Sequence, residues 1–324
     1  MTTEVSKNLL EIKDLNVYYE TKEGKVRAVQ DLNLSVDCGE FVGISGESGC
    51  GKTTTAMAIM QLLPREGVIE RGSVYFDGQN TLKFSKKQIQ DFLWKDLSMI
   101  FQGSMNALNP VHKIIDQMKN VILLHEKDTL EVEAIERSLD LLEAMGIERS
   151  RGDAYPHELS GGMKQRAMIA LALTCHPFLV IADEPTTALD VMIQAQILEL
   201  MKQLREQTSL SLILITHDLS VIAETCDRVV IMYAGRMMED APVTTLFEKP
   251  SHPYTRKLIS SFPSVLGEKE IDFIPGNPPD LINPPSGCPY HPRCDYAIDI
   301  CKESIPPLVS KNGVRVACLR SDEI

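Results

Sequence analysis

One eight-residue segment constrains the fold of this chain more than any other. Residues 46–53 read GESGCGKT and fit the pattern G-x-x-x-x-G-K-[ST] at every fixed position. A short apolar run, residues 40–45, precedes it, and a helix-like stretch, residues 53–63, follows it. The glycines let successive backbone N–H groups point at phosphate oxygens, and the helix N-terminus adds partial positive charge. The segment therefore predicts a phosphate-binding loop between a strand and a helix; the alternative is a glycine-rich turn that binds nothing.

The side chains of this loop have distinct expected roles. Lys52 is expected to reach the β- and γ-phosphates of a nucleotide, and the Thr53 hydroxyl is expected to bind Mg²⁺. Residues 179–184, LVIADE, add a second metal-binding element, because an apolar strand delivers Asp183 at its carboxyl end. Asp183 is the expected Mg²⁺ partner, and Glu184 could polarise the attacking water as a general base. The loop residues expected to contact the nucleotide are Gly46, Ser48, Gly49, Gly51, Lys52, Thr53 and Thr54.

Strand-like and helix-like segments alternate along the chain, which predicts an α/β fold with a parallel sheet. Residues 178–182 and 210–216 are short and apolar, as buried strands are. Between them, residues 193–204 have apolar side chains on one helix face. Near the start of the chain, residues 9–19 and 32–36 are rich in β-forming residues and predict an antiparallel sheet. Helical periodicity extends over residues 86–149.

Charge and hydropathy exclude some classes of protein. The 33 Lys and Arg residues against 45 Asp and Glu residues give a net charge of −12, and no basic run is present, which argues against a nucleic-acid partner. No secretory signal is visible in the first residues. No apolar stretch has the roughly 20 residues needed to cross a bilayer. We therefore expect a chain that does not span a membrane by itself.

A second glycine-rich segment narrows the choice among ATPases with such a loop. Residues 159–166 read LSGGMKQR, so Ser160, Gly161 and Gly162 precede a helical run and form a second anion site. This order of motifs resembles the ATP-binding cassette (ABC) ATPase family, in which a nucleotide is clamped between two subunits. The family usually has Gln where this chain has Met163. Since the serine and both glycines are kept, we expect the clamp to be retained.

The resemblance implies roles for residues that have no signal of their own. Residues 187–190, TALD, look like the family's D-loop and place Asp190 at the nucleotide. His217, within residues 216–218 (THD), looks like the switch histidine. Gln102 is similar to the glutamine of the Q-loop, which senses Mg²⁺ and the transporter. By this resemblance the catalytic residues are Glu184, His217 and Gln102, and the Mg²⁺ ligands are Thr53, Gln102 and Asp183.

One aromatic residue of the first strand is implied in base recognition. Tyr19 occupies the position at which the family stacks an aromatic ring on adenine. Tyr18 is a neighbouring candidate for the same role.

The last part of the chain differs in composition from the rest. Twelve of the 18 prolines lie at positions 250–307, and four of the eight cysteines fall within the last 37 residues. With the resemblance, this change predicts a nucleotide-binding domain over residues 8–240 and an extension over residues 241–324. The expected fold is a P-loop NTPase ABC ATPase core with an antiparallel β subdomain, a helical subdomain at about residues 88–165, and a small Cys/Pro-rich C-terminal extension.

Finer features resemble the ATPase subunits of oligopeptide and dipeptide importers. They are YPHELSGGM at 155–163, NALNP at 106–110, SHPYT at 251–255, and GNPP and GCPYHPRC at 276–279 and 287–294. This implies ATP hydrolysis that powers peptide import, although nickel and some oligosaccharide importers share the same ATPase type. The implied partners are a homologous second ATPase subunit or a second copy of this chain, two polytopic permease subunits and, indirectly, an extracytoplasmic solute-binding protein. The implied location is peripheral, at the cytoplasmic face of the cell membrane.

Four cysteines of the extension suggest a metal site. Their spacing is C-x5-C-x6-C-x16-C, and they lie in a Pro-rich segment where a metal could replace a hydrophobic core. Structural zinc sites usually contain closer C-x₂₋₄-C pairs. Some members of the family that this chain resembles hold a [4Fe–4S] cluster in this extension, and four cysteines could ligate one. Zinc and unliganded thiols are the alternatives. The four residues are Cys288, Cys294, Cys301 and Cys318.

Two other functional classes remain as alternatives. A soluble ABC ATPase that acts on DNA or ribosomes generally carries tandem cassettes or a long coiled-coil insert, and this chain has one cassette and no sustained heptads. A regulatory module in which the cysteines sense redox state is the second alternative.

Overall fold

The computed structural model describes residues 8–103, 107–185, 191–261 and 273–323. The chain divides into two compact units. Within the described part, the first unit contains residues 8–36, 41–82 and 215–323, and the second contains residues 37–40 and 83–214.

The strands are, in chain order, β1 (Asn8–Thr21), β2 (Gly24–Asp37), β3 (Phe41–Ser45), β4 (Gly67–Phe76), β5 (Gln79–Asn80), β6 (Leu97–Ile100), β7 (Leu179–Asp183), β8 (Ser211–Ile215), β9 (Arg228–Tyr233), β10 (Arg236–Pro242), β11 (Val309–Lys311) and β12 (Val314–Val316). The helices are α1 (Lys52–Ile59), α2 (Lys86–Phe92), α3 (Ile114–His125), α4 (Glu131–Ala144), α5 (Gly161–Leu173), α6 (Val191–Thr208), α7 (Leu219–Thr225), α8 (Val243–Glu248), α9 (Pro253–Ser260) and α10 (Asp299–Glu303).

An antiparallel sheet begins the first unit. Its strand order is β2-β1-β4-β5, and β1 and β4 run antiparallel with Leu10 opposite Phe76 and Tyr19 opposite Gly67. Along β1 and β2 most apolar side chains are buried and nearly all polar ones are half-buried or exposed, as expected for a sheet with one face on the core. The antiparallel sheet predicted for the start of the chain is therefore confirmed.

A second set of strands in the first unit leads to the phosphate-binding loop. In the order β11-β12-β10-β9-β3, β3 is parallel to β9, and β9 and β12 both pair antiparallel with β10. All five residues of β3 are buried, which accounts for its unbroken apolar sequence. Because β3 ends at Ser45 and α1 begins at Lys52, the loop lies between a strand and a helix, as predicted.

The second unit has a core of short buried strands. β8, β7 and β6 lie side by side in that order, and β6 is parallel to β7 with Leu97 opposite Leu179. The strands predicted at residues 178–182 and 210–216 are found as β7 and β8. The helical prediction for residues 86–149 is wrong at β6. All four of its residues are buried, and four residues are too few for a strand to be distinguished from a helix by periodicity.

Helices complete the second unit. Ile122 of α3 and Ala134 of α4 belong to one buried cluster with Cys175, which follows α5. The helix predicted at residues 193–204 lies within α6. Among the described residues, no helix combines the length and apolar character needed to span a bilayer.

Strands near the end of the chain are held by buried charge. Asp240 on β10 is 2% exposed and pairs with Arg228 on β9, whose Nη1 lies 2.9 Å from both carboxylate oxygens. Arg315 on β12 donates from Nε to Oδ2 of the same carboxylate at 2.8 Å. One buried carboxylate therefore joins three strands, including one from the cysteine-containing part of the chain.

Candidate functional site

The phosphate-binding loop can be built only with glycine at two positions. Gly46 and Gly51 have φ angles of 149° and 104°, which L side chains rarely adopt. A Cβ at Gly46 would lie 2.1 Å from the Met232 carbonyl oxygen, and one at Gly51 would lie 2.2 Å from that of Ala28. The motif glycines are thus required by the close approach of neighbouring backbone.

Lys52 is folded back over this loop. Its side chain is 9% exposed, and Nζ donates to the carbonyl oxygens of Gly46 at 2.7 Å and Glu47 at 3.0 Å. The ammonium group is therefore held where phosphate oxygens are expected. Cys50 is buried 3.6 Å from Nζ, and burial raises the pKa of its thiol, so it is a packing residue in its protonated form.

The other loop residues are more accessible. Ser48 and Gly49 are exposed, and Thr53 and Thr54 in the first turn of α1 are half-buried. The Thr54 hydroxyl lies 3.1 Å from the hydroxyl of Tyr19, which places the ring of Tyr19 beside the loop helix.

The neighbouring tyrosine has a different environment. The ring of Tyr18 lies under the ammonium group of Lys25, with Nζ 4.0 Å from the ring centroid. This cation–π contact engages Tyr18 away from Thr54. Of the two tyrosines, Tyr19 is the one whose hydroxyl contacts the first turn of the loop helix.

The second unit brings three expected catalytic or Mg²⁺-binding residues to the end of β7. Asp183 is the last residue of this strand and is 1% exposed. Glu184 follows with φ 47°, a left-handed conformation that is uncommon outside glycine. Gln102, which follows β6, donates from Nε2 to Oε2 of Glu184 at 2.8 Å. Because β6 and β7 are parallel neighbours, their carboxyl ends meet at one edge of the sheet.

The serine and glycines of the second anion site begin α5. Ser160 is the N-cap, and its Oγ accepts a hydrogen bond from the backbone N–H of Met163 at 3.3 Å. Ser160 is exposed, and Gly161 and Gly162 form the first turn of the helix. Farther along α5, Gln165 donates to the Pro185 carbonyl oxygen, one residue beyond Glu184. The second unit therefore links α5 to the segment that follows the expected general base.

His217 lies in the first unit, between β8 and α7, and is exposed. The residues on either side of it are tied down. Thr216 is 6% exposed, and its Oγ1 accepts from the backbone N–H of Asp218 at 3.0 Å. Asp218 in turn caps α7 by accepting from the Ser220 N–H at 2.9 Å. Asp190 and residues 187–189 of the expected D-loop, and Asn106 of the NALNP segment, lie outside the described residues.

Four cysteines of the C-terminal part line one cavity. Cys288, Cys294, Cys301 and Cys318 are all free thiols, and His252 and Tyr290 also form its wall. Burial raises the pKa of the Cys288 thiol to about 11, and the neighbouring cysteines add to this effect. Burial also raises the pKa of Cys294 and Cys318. Among the described residues, no group of three or more His, Cys, Asp or Glu side chains is arranged to hold a single metal ion.

A partly buried ion pair connects the phosphate-binding loop to this cysteine-containing segment. Arg293 is 8% exposed and forms a bidentate pair with the Glu47 carboxylate, at 2.6 Å from Nη1 to Oε2 and 2.9 Å from Nη2 to Oε1. Glu47 occupies a variable position of the loop motif, and Arg293 precedes Cys294. Sequence reasoning missed both residues. The one available signal was an arginine within a Pro- and Cys-rich segment. It did not indicate a partner, because 246 positions separate Arg293 from Glu47.

Comparison with known proteins shows the family. The ABC transporter family matches residues 29–187, and the family described as oligopeptide/dipeptide transporter, C-terminal region, matches residues 238–301. The chain is 47% identical to the oligopeptide transport ATP-binding protein OppD of Bacillus subtilis, over 93% of this chain and 85% of that protein. It is 46% identical to OppD of Salmonella typhimurium, over 97% and 94%. The chain belongs to the oligopeptide/dipeptide family of ABC transporter ATP-binding proteins.

Solved ABC cassettes have the same fold. One is the dimeric, post-hydrolysis structure of the ATP-binding cassette MJ0796 bound to ADP and Pi. It matches this chain with a TM-score of 0.67 and 27% sequence identity, and the match covers 72% of this chain and 98% of the MJ0796 chain. The cbiO1 structure from Clostridium perfringens matches with a TM-score of 0.64 and 26% sequence identity, over 75% of this chain and 92% of the cbiO1 chain. The P-loop ABC ATPase fold expected from the sequence is thereby confirmed, as is the ATPase class of this ABC protein.

Proposed function

We propose that this chain is the ATP-hydrolysing subunit that powers import of di- or oligopeptides through an ABC transporter. The observation that carries the proposal is the match along nearly the whole chain, extension included, to proteins named for oligopeptide transport. The relatives described above are named for peptide transport and not for the two alternative classes, a soluble ABC ATPase and a redox-sensing module. Import of nickel or oligosaccharides is the alternative that the experiment below tests.

ATP is the substrate, and the chain's own residues supply binding and proton transfer. Lys52 and the loop N–H groups would hold the phosphates, with Tyr19 against the adenine. Thr53, Asp183 and Gln102 would hold Mg²⁺, which when bound neutralises developing charge on the phosphates. The donor set fits, because Asp183 is buried at a strand end and Gln102 reaches the same edge.

Hydrolysis requires a water molecule in line with the γ-phosphate. Glu184 would take the proton of this water as its oxygen attacks the γ-phosphorus and the bond to ADP breaks. His217 would position the γ-phosphate. Ser160, Gly161 and Gly162 of a second subunit would donate to it across a dimer, and Asp190 would contact the nucleotide there. The dimeric state of the cassette solved with ADP and Pi supports this arrangement.

The partners follow from this role. Two ATPase subunits, either two copies of this chain or this chain and a homologue, would bind two polytopic permeases at the cytoplasmic face of the membrane. An extracytoplasmic solute-binding protein would deliver the cargo. Opening of the dimer after hydrolysis would drive the permeases through helices docked near Gln102.

The four cysteines of the extension line one cavity, which makes them a candidate [4Fe–4S] site with zinc as the alternative. They converge on one cavity as free thiols, which agrees with Cys₄ ligation. We propose that Cys288, Cys294, Cys301 and Cys318 ligate such a cluster, which would replace a hydrophobic core in this segment.

Uptake by cells tests the transport proposal. Deletion of the gene should abolish uptake of labelled di- and oligopeptides, and the wild-type gene should restore it. A gene with Lys52→Ala should not restore uptake, because it lacks the phosphate-binding ammonium group. Unchanged peptide uptake with loss of nickel or oligosaccharide uptake would replace the proposed cargo with the alternative.

Elemental analysis tests the cluster. Chain purified without oxygen should contain about four iron atoms and four acid-labile sulfides. The matched control is Cys38→Ser, because Cys38 is exposed and lies far from the extension in sequence. This control should keep the iron, and Cys294→Ser should lose it. Stoichiometric zinc without iron would reject the cluster.

A further inference from the structure

Glu47 brings a negative charge into a loop that must accept phosphates. Its carboxylate is compensated by Arg293, whose two terminal nitrogens contact its two oxygens at 2.6 and 2.9 Å. A planar bidentate pair of this kind fixes both charge and direction. Without the arginine, the carboxylate would repel an anionic nucleotide and would be free to turn toward the phosphates.

Arg293 is itself held by atoms outside the loop. Its Nε donates to the Pro275 carbonyl oxygen at 2.6 Å, Nη2 to that of Gly276 at 3.3 Å, and Nη1 to the Tyr233 hydroxyl at 3.1 Å. Burial opposes the charged form, but hydrogen bonds to Glu47 and Tyr233 outweigh it and raise the pKa of Arg293. The guanidinium group is therefore permanently charged and oriented before a nucleotide arrives.

The backbone of Glu47 is held as firmly as its side chain. Its N–H donates to the hydroxyl of Tyr254 at 2.9 Å, and its carbonyl oxygen accepts from Lys52. Tyr254 packs against Tyr233 and Tyr290, with ring centroids 4.7 and 5.2 Å away. All three rings are almost fully buried, so they form a rigid support beneath the loop.

The same support forms part of the cysteine cavity. Tyr290 lines that cavity and packs against Tyr233 at 5.3 Å. Arg293 lies in a single helical turn, His291–Arg293, between Cys288 and Cys294. The backbone N–H of Cys288 donates to the Cys301 carbonyl oxygen at 2.8 Å. This hydrogen bond holds the segment that carries the turn to another cysteine of the cavity. A change in the positions of the thiols would therefore displace the turn that carries Arg293.

We propose that Arg293 is a positioning residue for nucleotide binding, which neutralises and orients Glu47 and thereby links the affinity of the phosphate-binding loop to the ligand state of the four-cysteine cavity. This rests on the proposed function of the loop as an ATP site. Arg293 acts through Glu47 and not on the nucleotide itself. The cavity thus influences the first step of the cycle, and no electron transfer is required.

Nucleotide affinity tests the first half of the proposal. With the full chain, Mg²⁺ and a non-hydrolysable ATP analogue, Arg293→Ala should weaken binding on the order of tenfold, as residues that modulate a site without touching its ligand do. Arg293→Lys should restore part of the loss, since charge returns without the bidentate geometry. In ATPase assays KM should rise more than kcat falls. The matched control is Lys311→Ala, which removes an exposed cation of the extension that pairs with Asp322.

A double substitution separates electrostatics from misfolding. Arg293→Ala combined with Glu47→Gln should regain most of the affinity, because no uncompensated carboxylate remains in the loop. If the double variant binds as weakly as Arg293→Ala, the arginine is only structural and the proposal is overturned. Wild-type affinity in Arg293→Ala also overturns it. A wild-type chain that binds no nucleotide would overturn the proposed function as well, which distinguishes the two failures.

Cysteine substitution tests the link to the cavity. Cys294→Ser should change affinity for the analogue several-fold in the wild-type background, and this change should disappear in the Arg293→Ala background. The readout is binding, so it does not depend on turnover. Equal changes in both backgrounds, or no change in either, would overturn the link.

Discussion

The side-chain amide of Gln102 donates a hydrogen bond to the carboxylate of Glu184, with Nε2 and Oε2 2.8 Å apart. The two residues are 82 positions apart in the sequence and are brought together by the parallel pairing of β6 with β7. The hydrogen bond therefore orients the carboxylate of the expected general base.

Replacement of Glu184 with Gln should separate binding from hydrolysis. The side chain keeps its shape and can still accept from Gln102, but it cannot take a proton from water. We expect kcat for ATP hydrolysis to fall by about 10²–10⁴ with ATP binding retained, and the variant to accumulate as a closed dimer with ATP. Turnover and size-exclusion chromatography measure both. Glu206→Gln, an exposed change on α6, is the control, and wild-type turnover in Glu184→Gln would remove the assignment.

Loss of the amide at position 102 should have a smaller effect. Gln102→Ala leaves the Glu184 carboxylate in place but removes the hydrogen bond from the Gln102 amide. We therefore expect kcat to fall about tenfold while the affinity for ATP without Mg²⁺ stays the same. Equilibrium binding without and with Mg²⁺ then isolates the second expected role of Gln102, because a Mg²⁺ ligand should matter only when the ion is present. Equal kcat in Gln102→Ala and the wild type would contradict the orienting role.

Stability should depend strongly on Asp240. Asp240→Asn leaves Arg228 and Arg315 without their shared carboxylate, and we expect the free energy of unfolding to fall by about 3 kcal/mol, as for other broken buried pairs. Urea unfolding monitored by circular dichroism measures this. The matched control is Asp322→Asn, whose carboxylate is 73% exposed and pairs with Lys311. That change should lower the free energy of unfolding by about 0–1 kcal/mol. Equal losses in the two variants would contradict the stabilising role of the buried Asp240 pairs.

Stability should also fall in mild acid because of His252. Burial lowers the pKa of this imidazole from 6.5 to about 3, and its Nδ1 accepts from the Tyr254 N–H at 3.0 Å, which requires the neutral ring. The unfolded chain binds a proton below pH 6.5 and the folded chain does not. The contribution of neutral His252 to the free energy of unfolding is therefore complete above pH 6.5. It falls by about 1.4 kcal/mol for each pH unit between pH 6.5 and pH 3.

Comparison with His252→Asn isolates that contribution, because the amide oxygen can still accept from Tyr254. The stability advantage of the wild type, measured by urea unfolding, should shrink as the pH is lowered from 7 to 4.5. The exposed His157→Asn variant is the control. A difference that does not change with pH would contradict the assignment.

The sequence predicted features that depend on local chemistry. The glycines of the loop, the strand that delivers Asp183 and the serine that caps α5 each have a nearby physical cause, and each lies where expected. β6 was missed because four buried residues have no periodicity to read. The pairing of Glu47 with Arg293 could not be predicted, since neither residue type nor spacing specifies a contact across 246 positions. The convergence of four irregularly spaced cysteines also depends on tertiary packing.

The antiparallel pairing of β12 with β10 has a consequence for anyone who shortens this protein. Glu239 and Asp240 of β10 lie opposite Val316 and Arg315, so the terminal hairpin occupies the outer hydrogen-bonding row of β10. β11 is the edge strand on this side of the sheet. It is a poor template for further pairing, because it has three exposed residues and one of them is Lys311. A cassette cut after residue 242 would expose β10 itself, and such a fragment should aggregate even though every nucleotide-binding motif is present.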